Sequence, residues 1–125
     1  MIQKLILLGV AGAFGTLARY GLANFVQNYI KLSFPMGTLV VNIIGCLVVG
    51  LLWALFESRW QVSSETQVLV LVGFMGAFTT FSAFIMESGS LMQSSAWIPT
   101  IANILLQNGL GFGALFVGIF IGRSI

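Results

Sequence analysis

The chain has 125 residues, of which 58% are hydrophobic and only 6% are charged, giving a net charge of +2. A soluble domain carries roughly 25% charged residues, so five basic and three acidic side chains cannot cover a water-exposed surface of this size. That excludes a soluble enzyme, a nucleic-acid-binding domain and a disordered tail, and leaves one small membrane domain.

Missing residue types narrow the chemistry further. Without histidine there is no imidazole relay, no His-based metal site and no Ser-His or Cys-His nucleophile pair. Cys46 is the single cysteine, so the chain has no internal disulfide and no Cys-rich metal cluster. Its apolar surroundings read as packing. Lys4, Arg19, Lys31, Arg59 and Arg123 are scattered rather than clustered, which gives no footprint for nucleic acid.

Crossing a ~30 Å hydrocarbon core takes about 20 apolar residues of helix. The first span is predicted over 4–29, carrying Arg19 within it. A break at Lys31-Leu32-Ser33-Phe34-Pro35 follows, and Pro35 suits a helix start. The second span is predicted over 35–56. Glu57 to Glu65 forms the one polar linker, after which the third span covers 65–92. Gln93-Ser94-Ser95-Ala96-Trp97-Ile98-Pro99 supplies the last break, and the fourth span covers 97–123. The expected fold is therefore an all-α membrane protein, one domain over residues 1–125 with four transmembrane helices. Lys4, the apolar run and Ala11-Gly12-Ala13 also fit a secretory signal, but cleavage there would discard half a helix, so the helical reading is preferred. Four spans place the N-terminus, the 2–3 linker and the C-terminus on one side. Lys4, Arg59 and Arg123 then oppose Lys31, a weak bias that permits insertion both ways round. The spacings Gly109–Gly113 and Gly118–Gly122 point to close helix approach, within or between chains.

Polar residues inside the spans need a reason. Arg19 is deep enough to face a water-filled vestibule and near enough to the span's end to act as an interface anchor beside Tyr20. Thr38 and Asn42 share a face at i, i+4, and Asn42 serves either a helix contact or a pore. Asn103 and Gln107 repeat the spacing in the fourth span. The most informative stretch is Gly73-Phe74-Met75-Gly76-Ala77-Phe78-Thr79-Thr80-Phe81-Ser82-Ala83-Phe84. Two glycines, paired threonines and a serine in mid-span predict a broken helix, tolerated only where protein or a cavity covers the freed backbone. Phe81 and Phe84 share one face just beyond that break, and their ring edges carry the positive part of the aromatic quadrupole. Glu87 lies one turn further on. No Gly-x-Ser-x-Gly turn and no carboxylate pair points to catalysis.

These residues resemble the Fluc (CrcB) family of small bacterial fluoride channels. The resemblance covers the whole chain in length, span count and motif order. It rests on Gly15-Thr16-Leu17-Ala18-Arg19-Tyr20, on Gly37-Thr38-Leu39-Val40-Val41-Asn42 and, most specifically, on the segment from Gly73 to Phe84. It implies passive export of fluoride across the inner membrane by an antiparallel, dual-topology homodimer with two pores. It further implies a central structural sodium ion, held by backbone carbonyls that fall here on Gly76 and Thr79. The same resemblance makes Phe81 and Phe84 the pore phenylalanines, has Asn42 donate to the ion and puts Arg19 in the vestibule. Thr38, Thr80, Ser82 and Glu87, with Gln107 and Asn103, fit the polar side of the path. The chain departs from the family pattern at Ala77, where a second glycine is frequent, and at Asn103 and Gln107, where Tyr or Ser is found. The competing reading is a small four-helix dimeric multidrug or proton-coupled exporter. It needs an embedded acid in the first span, and Arg19 is the only charge deep in that span. A non-transporting accessory subunit is the third reading.

Overall fold

In an apolar medium every backbone N–H and C=O must pair within its own segment, so charge-free stretches of this length fold as helices. The computed structural model, which describes residues 1–125, is helical throughout, with no strand. Helix α1 covers Ile2–Ile30 and α2 covers Met36–Ser58. The third span, Ser64–Gln93, is segmented. It consists of α3 (Ser64–Gln67), a π-helical stretch (Val68–Met75), α4 (Gly76–Phe78) and α5 (Phe81–Gln93). Helix α6 covers Trp97–Ser124. All four spans are long and apolar enough to cross a membrane, and their ends fall within one or two residues of the sequence expectation.

The turns follow from local chemistry. Lys31 ends α1 in the left-handed region at φ 50°, a conformation that costs a non-glycine residue energy. Pro35 caps α2, where its missing N–H is not needed. Gln27 closes this turn with a single carboxamide. Its Nε2 donates to the carbonyls of Leu32 at 2.7 Å and Phe34 at 3.2 Å, and its Oε1 accepts from Gly37 N–H at 3.1 Å. Ser63 caps α3 by accepting from Thr66 N–H, and Glu65 in that first turn favours the helix dipole. Pro99 sits within the first turn of α6, among amides that have no helical partner anyway.

Packing is closest between α2 and α6. Gly118 leaves room for the Leu47 carbonyl, and Gly50 leaves room for the Leu115 carbonyl; a Cβ at either would collide with backbone. Small residues that let backbones touch replace the hydrophobic effect as the source of helix affinity in lipid. Of the two glycine pairs read as contact points, Gly118–Gly122 packs on α2, whereas a Cβ at Gly109 or Gly113 would meet nothing. Gly109–Gly113 therefore faces away from this chain. A small core of Val41, Met75 and Phe78, flanked by Leu22, Ala23 and Phe74, joins α1, α2 and the third span. Ion pairs Lys4–Glu65 and Arg123–Glu57, both at 3.8 Å, hold the N-terminus, the 2–3 linker and the C-terminus at one end of the bundle. Lys31 lies at the other.

Candidate functional site: the helix break and its polar groove

Midway along the third span the backbone leaves the helix for two residues. Thr79 (φ −81°, ψ 158°) and Thr80 (φ −148°, ψ 114°) are extended. Paired threonines suit this position because their hydroxyls replace lost helical partners. Thr79 Oγ1 donates to the Met75 carbonyl at 3.0 Å, beside Thr79 N–H to the same oxygen. Thr80 Oγ1 accepts from Ala83 N–H at 3.2 Å and so caps α5. Gly45 on α2 makes space for the break, since a Cβ there would strike Thr79 Cγ2. Arg19 reaches in from α1 and donates from Nε to the Ala77 carbonyl at 3.1 Å.

The break frees acceptors as well. Thr80 N–H, which a continuing helix would give to Gly76, donates instead to Asn42 Oδ1 at 2.9 Å. Ala83 N–H is taken by the Thr80 hydroxyl rather than by the Thr79 carbonyl. The Gly76 and Thr79 carbonyls thus both lose the amide four residues on. Neutral oxygens with spare lone pairs are the ligand type that hard monovalent cations accept, so the residues expected to hold sodium have the donor chemistry for it.

A polar layer crosses from α2 to α5 and α6. Asn42 makes a reciprocal pair with Thr80: it accepts from the N–H and donates Nδ2 to the carbonyl at 3.1 Å. The same Nδ2 donates its other hydrogen to Gln107 Oε1 at 3.0 Å. Asn42, expected to donate to an ion, therefore has both amide hydrogens engaged by protein oxygens. Thr38 donates its hydroxyl to Glu87 Oε1. Asn103, 0% exposed, donates Nδ2 to Ser88 Oγ at 3.0 Å, and Ser88 donates to the Phe84 carbonyl at 2.8 Å. Three buried polar atoms in this layer have no partner: Glu87 Oε2, Asn103 Oδ1 and Gln107 Nε2.

Two cavities flank the Asn42–Thr80 pair. The larger, about 360 Å³, is lined by Asn42, Cys46, Thr80, Phe81, Phe84 and Gln107 among others, with no charged side chain. The Phe81 and Phe84 rings meet edge to face at 5.6 Å between centroids. Phe84 is 6% exposed and Phe81 is 74% exposed, so Phe81 projects beyond the fold of one chain. The smaller cavity, about 190 Å³, is lined by Thr16, Arg19, Tyr20, Asn24, Thr38 and Thr80 among others. Thr80 is common to both.

The structure thus brings Asn42, Thr80, Phe81, Phe84 and Gln107 together around one cavity, and Arg19 and Thr38 around the other. Ser82, Glu87 and Asn103 line neither. Ser82 is exposed, with its hydroxyl 3.4 Å from that of Thr80. Asn103 is buried behind Phe84 through Ser88. Sequence reasoning missed Ser88, Gln27, Asn24, Asn108 and the place of Cys46 in the groove wall. Asn24 had a readable signal in its i, i+4 spacing from Tyr20; Ser88 had one in its i+4 spacing from Phe84.

The profile of the family described as "CrcB-like protein, Camphor Resistance (CrcB)" matches residues 6–119. Similar curated proteins align over the full length of both chains. The chain is 62% identical to one from Desulforapulum autotrophicum, 47% to one from Solidesulfovibrio magneticus and 46% to one from Nitrosococcus oceani. Each of these relatives is named "Fluoride-specific ion channel FluC".

Proposed function

The chain belongs to the CrcB family, and from that premise we propose that it is a fluoride channel, a passive exporter in the bacterial inner membrane rather than an enzyme. The observation that carries this reading is the 62% identity, over all 125 residues, to a protein named for fluoride conduction.

The groove chemistry supports it. Fluoride is small and strongly hydrated, so a path must replace its water with donors while binding weakly enough to release it. Amide N–H groups and aromatic edges meet that need, and a groove wall without carboxylates does not repel the ion. The proposed path runs along Phe81 and Phe84 with Asn42, Thr80 and Gln107. Thr38, Ser82, Glu87 and Asn103 form its polar margin, and Arg19 is the positive charge in the vestibule. α1 carries no acid, which removes the feature a proton-coupled exporter would need.

The functional unit is proposed to be an antiparallel homodimer of dual topology. One chain alone leaves Phe81 and much apolar surface uncovered, and its charge asymmetry is weak. A sodium ion between the two copies of the break would take the Gly76 and Thr79 carbonyls of each chain. When bound it would accept the lone pairs of those oxygens and supply a fixed positive charge that favours anions nearby. The test is growth: expressed in a bacterium stripped of its own fluoride export, the chain should restore growth in fluoride medium. Correctly inserted protein that leaves the strain as sensitive as the empty vector would overturn the reading.

A further inference from the structure

We propose that Gly45 is a positioning residue for the cation site at the helix break: the space left by its missing side chain seats the Thr79 methyl, and that seat sets the direction in which the Thr79 carbonyl is offered to sodium. The inference rests on the sodium reading above and assigns part of that site to a helix that supplies none of its ligand atoms.

Gly45 is buried in the middle of α2, where glycine is a poorer helix former than alanine. What faces it explains its presence. A Cβ at Gly45 would strike Thr79 Cγ2 and would lie 3.4 Å from the Phe78 ring. Thr79 has no free way to turn its methyl aside. It is β-branched and stiff about its first side-chain torsion. Its hydroxyl donates to the Met75 carbonyl at 3.0 Å, so turning the side chain breaks that bond. Its neighbours leave no slack, since Met75 and Phe78 are 3% and 7% exposed and pack with Val41 in the core. A side chain at position 45 therefore pushes on the Thr79 backbone.

The Thr79 carbonyl is governed from both ends of its peptide unit. A trans peptide is planar, with its C=O and N–H pointing opposite ways. The N–H of this unit belongs to Thr80 and donates to Asn42 Oδ1 at 2.9 Å, so the Thr79 carbonyl points away from Asn42. The other end of the unit hangs on the Thr79 Cα, whose methyl is held at Gly45. Asn42 and Gly45 lie at i, i+3, so one face of α2 grips both extended residues of the break. The amide that a continuous helix would bring to this carbonyl, Ala83 N–H, is held by the Thr80 hydroxyl at 3.2 Å. Serine at position 79 would supply the same hydroxyl; threonine adds the methyl that needs the seat. Groups behind metal ligands hold the ligand atoms in place, and their loss weakens binding about 10–100-fold.

The test moves one methyl across the contact. Wild type, Gly45→Ala, Thr79→Ser and the Gly45→Ala/Thr79→Ser double variant are purified in a large organic cation. Thermal unfolding in detergent is followed as sodium replaces that cation at constant ionic strength. The sodium concentration at which the melting temperature starts to rise reports binding to the folded protein. Gly45→Ala should raise that onset about tenfold or more. The double variant restores the contact from the other side at constant volume and should return to within about twofold of wild type. A packing role alone would lower the melting temperature equally at every sodium concentration and leave the onset in place. That result, or a double variant whose onset stays shifted, overturns the proposal. If Gly45→Ala does not fold, Thr79→Ser decides, because it empties the seat and keeps the hydroxyl. Its onset should then rise severalfold, and a wild-type onset overturns the proposal. A wild type whose stability ignores sodium defeats the sodium reading itself, and this assignment with it.

Discussion

Ser88 shows how much one hydroxyl carries in this bundle. It accepts from Asn103 and donates to the Phe84 carbonyl, so it links the one fully buried polar residue of α6 to the backbone that holds the groove phenylalanine. Asn103 Oδ1 is already without a partner. Ser88→Ala would strand its Nδ2 as well, which costs about 1–2 kcal/mol for a buried donor. Thermal unfolding in detergent should report that loss, whereas unchanged stability would mean Asn103 finds another acceptor. At this scale spacing was legible for Phe81 with Phe84, which meet on one cavity, but the i, i+4 pairs part company: Thr38 and Asn42 line different cavities, and Asn103 is buried behind the groove that Gln107 lines. The sequence was not legible where the partner lies on another helix. Nothing in the order of residues says that Asn42 spends its amide on Thr80, or that Gln27 folds back on Phe34 and Gly37.

The elements divide in the same way. Four spans and their turns were readable because charge-free length, Pro35 and the polar linker are local signals. The segment Gly73–Phe84 marked the place where regular helix gives out, and Thr79 and Thr80 are the residues that leave it. The π-helical stretch Val68–Met75 was not readable, since a run of valine and leucine looks the same in a narrow or a wide turn. Such stretches recur near functional sites, and this one is separated from the break only by the single turn Gly76–Phe78. Glycine spacing was ambiguous for a physical reason: the same pattern serves contact inside a chain, as at Gly118, or a face turned outward, as at Gly109. Gly118→Ala should destabilise the α2–α6 contact by at least about 1–3 kcal/mol through overpacking against the Leu47 carbonyl. Gly9→Ala, where a Cβ meets nothing, should change stability by less than about 0.5 kcal/mol. Equal effects on thermal stability would contradict this packing.

As a whole, one chain is a poor object on its own. Its accessible surface is 8005 Å² for 13.5 kDa, against about 6,500 Å² for a soluble monomer of that mass. Only 20 of 125 residues are buried, and Leu5, Phe14, Leu17, Phe116 and Phe120 are among the large apolar side chains left outside. Lipid accounts for part of that surface, and a second copy is the proposed cover for the rest. Both acids near the charged end are tied to Lys4 and Arg123, but acids count little in orienting a span, so the three-to-one count of cations stands. Topology reporters fused to the C-terminus should read both sides of the membrane for the wild type. Two lysines added to the Glu57–Glu65 linker, on the side that already holds Lys4, Arg59 and Arg123, should fix one orientation, and a wild type that reads one side only would contradict dual topology.

The most direct measurement is fluoride release from liposomes holding the purified chain, read with a fluoride electrode as a potassium ionophore balances the charge. A fluoride channel should empty the protein-containing vesicles within the experiment and leave a parallel chloride load in place. Chloride release at a matching rate, or retained fluoride in vesicles shown to contain folded, inserted protein, would contradict it.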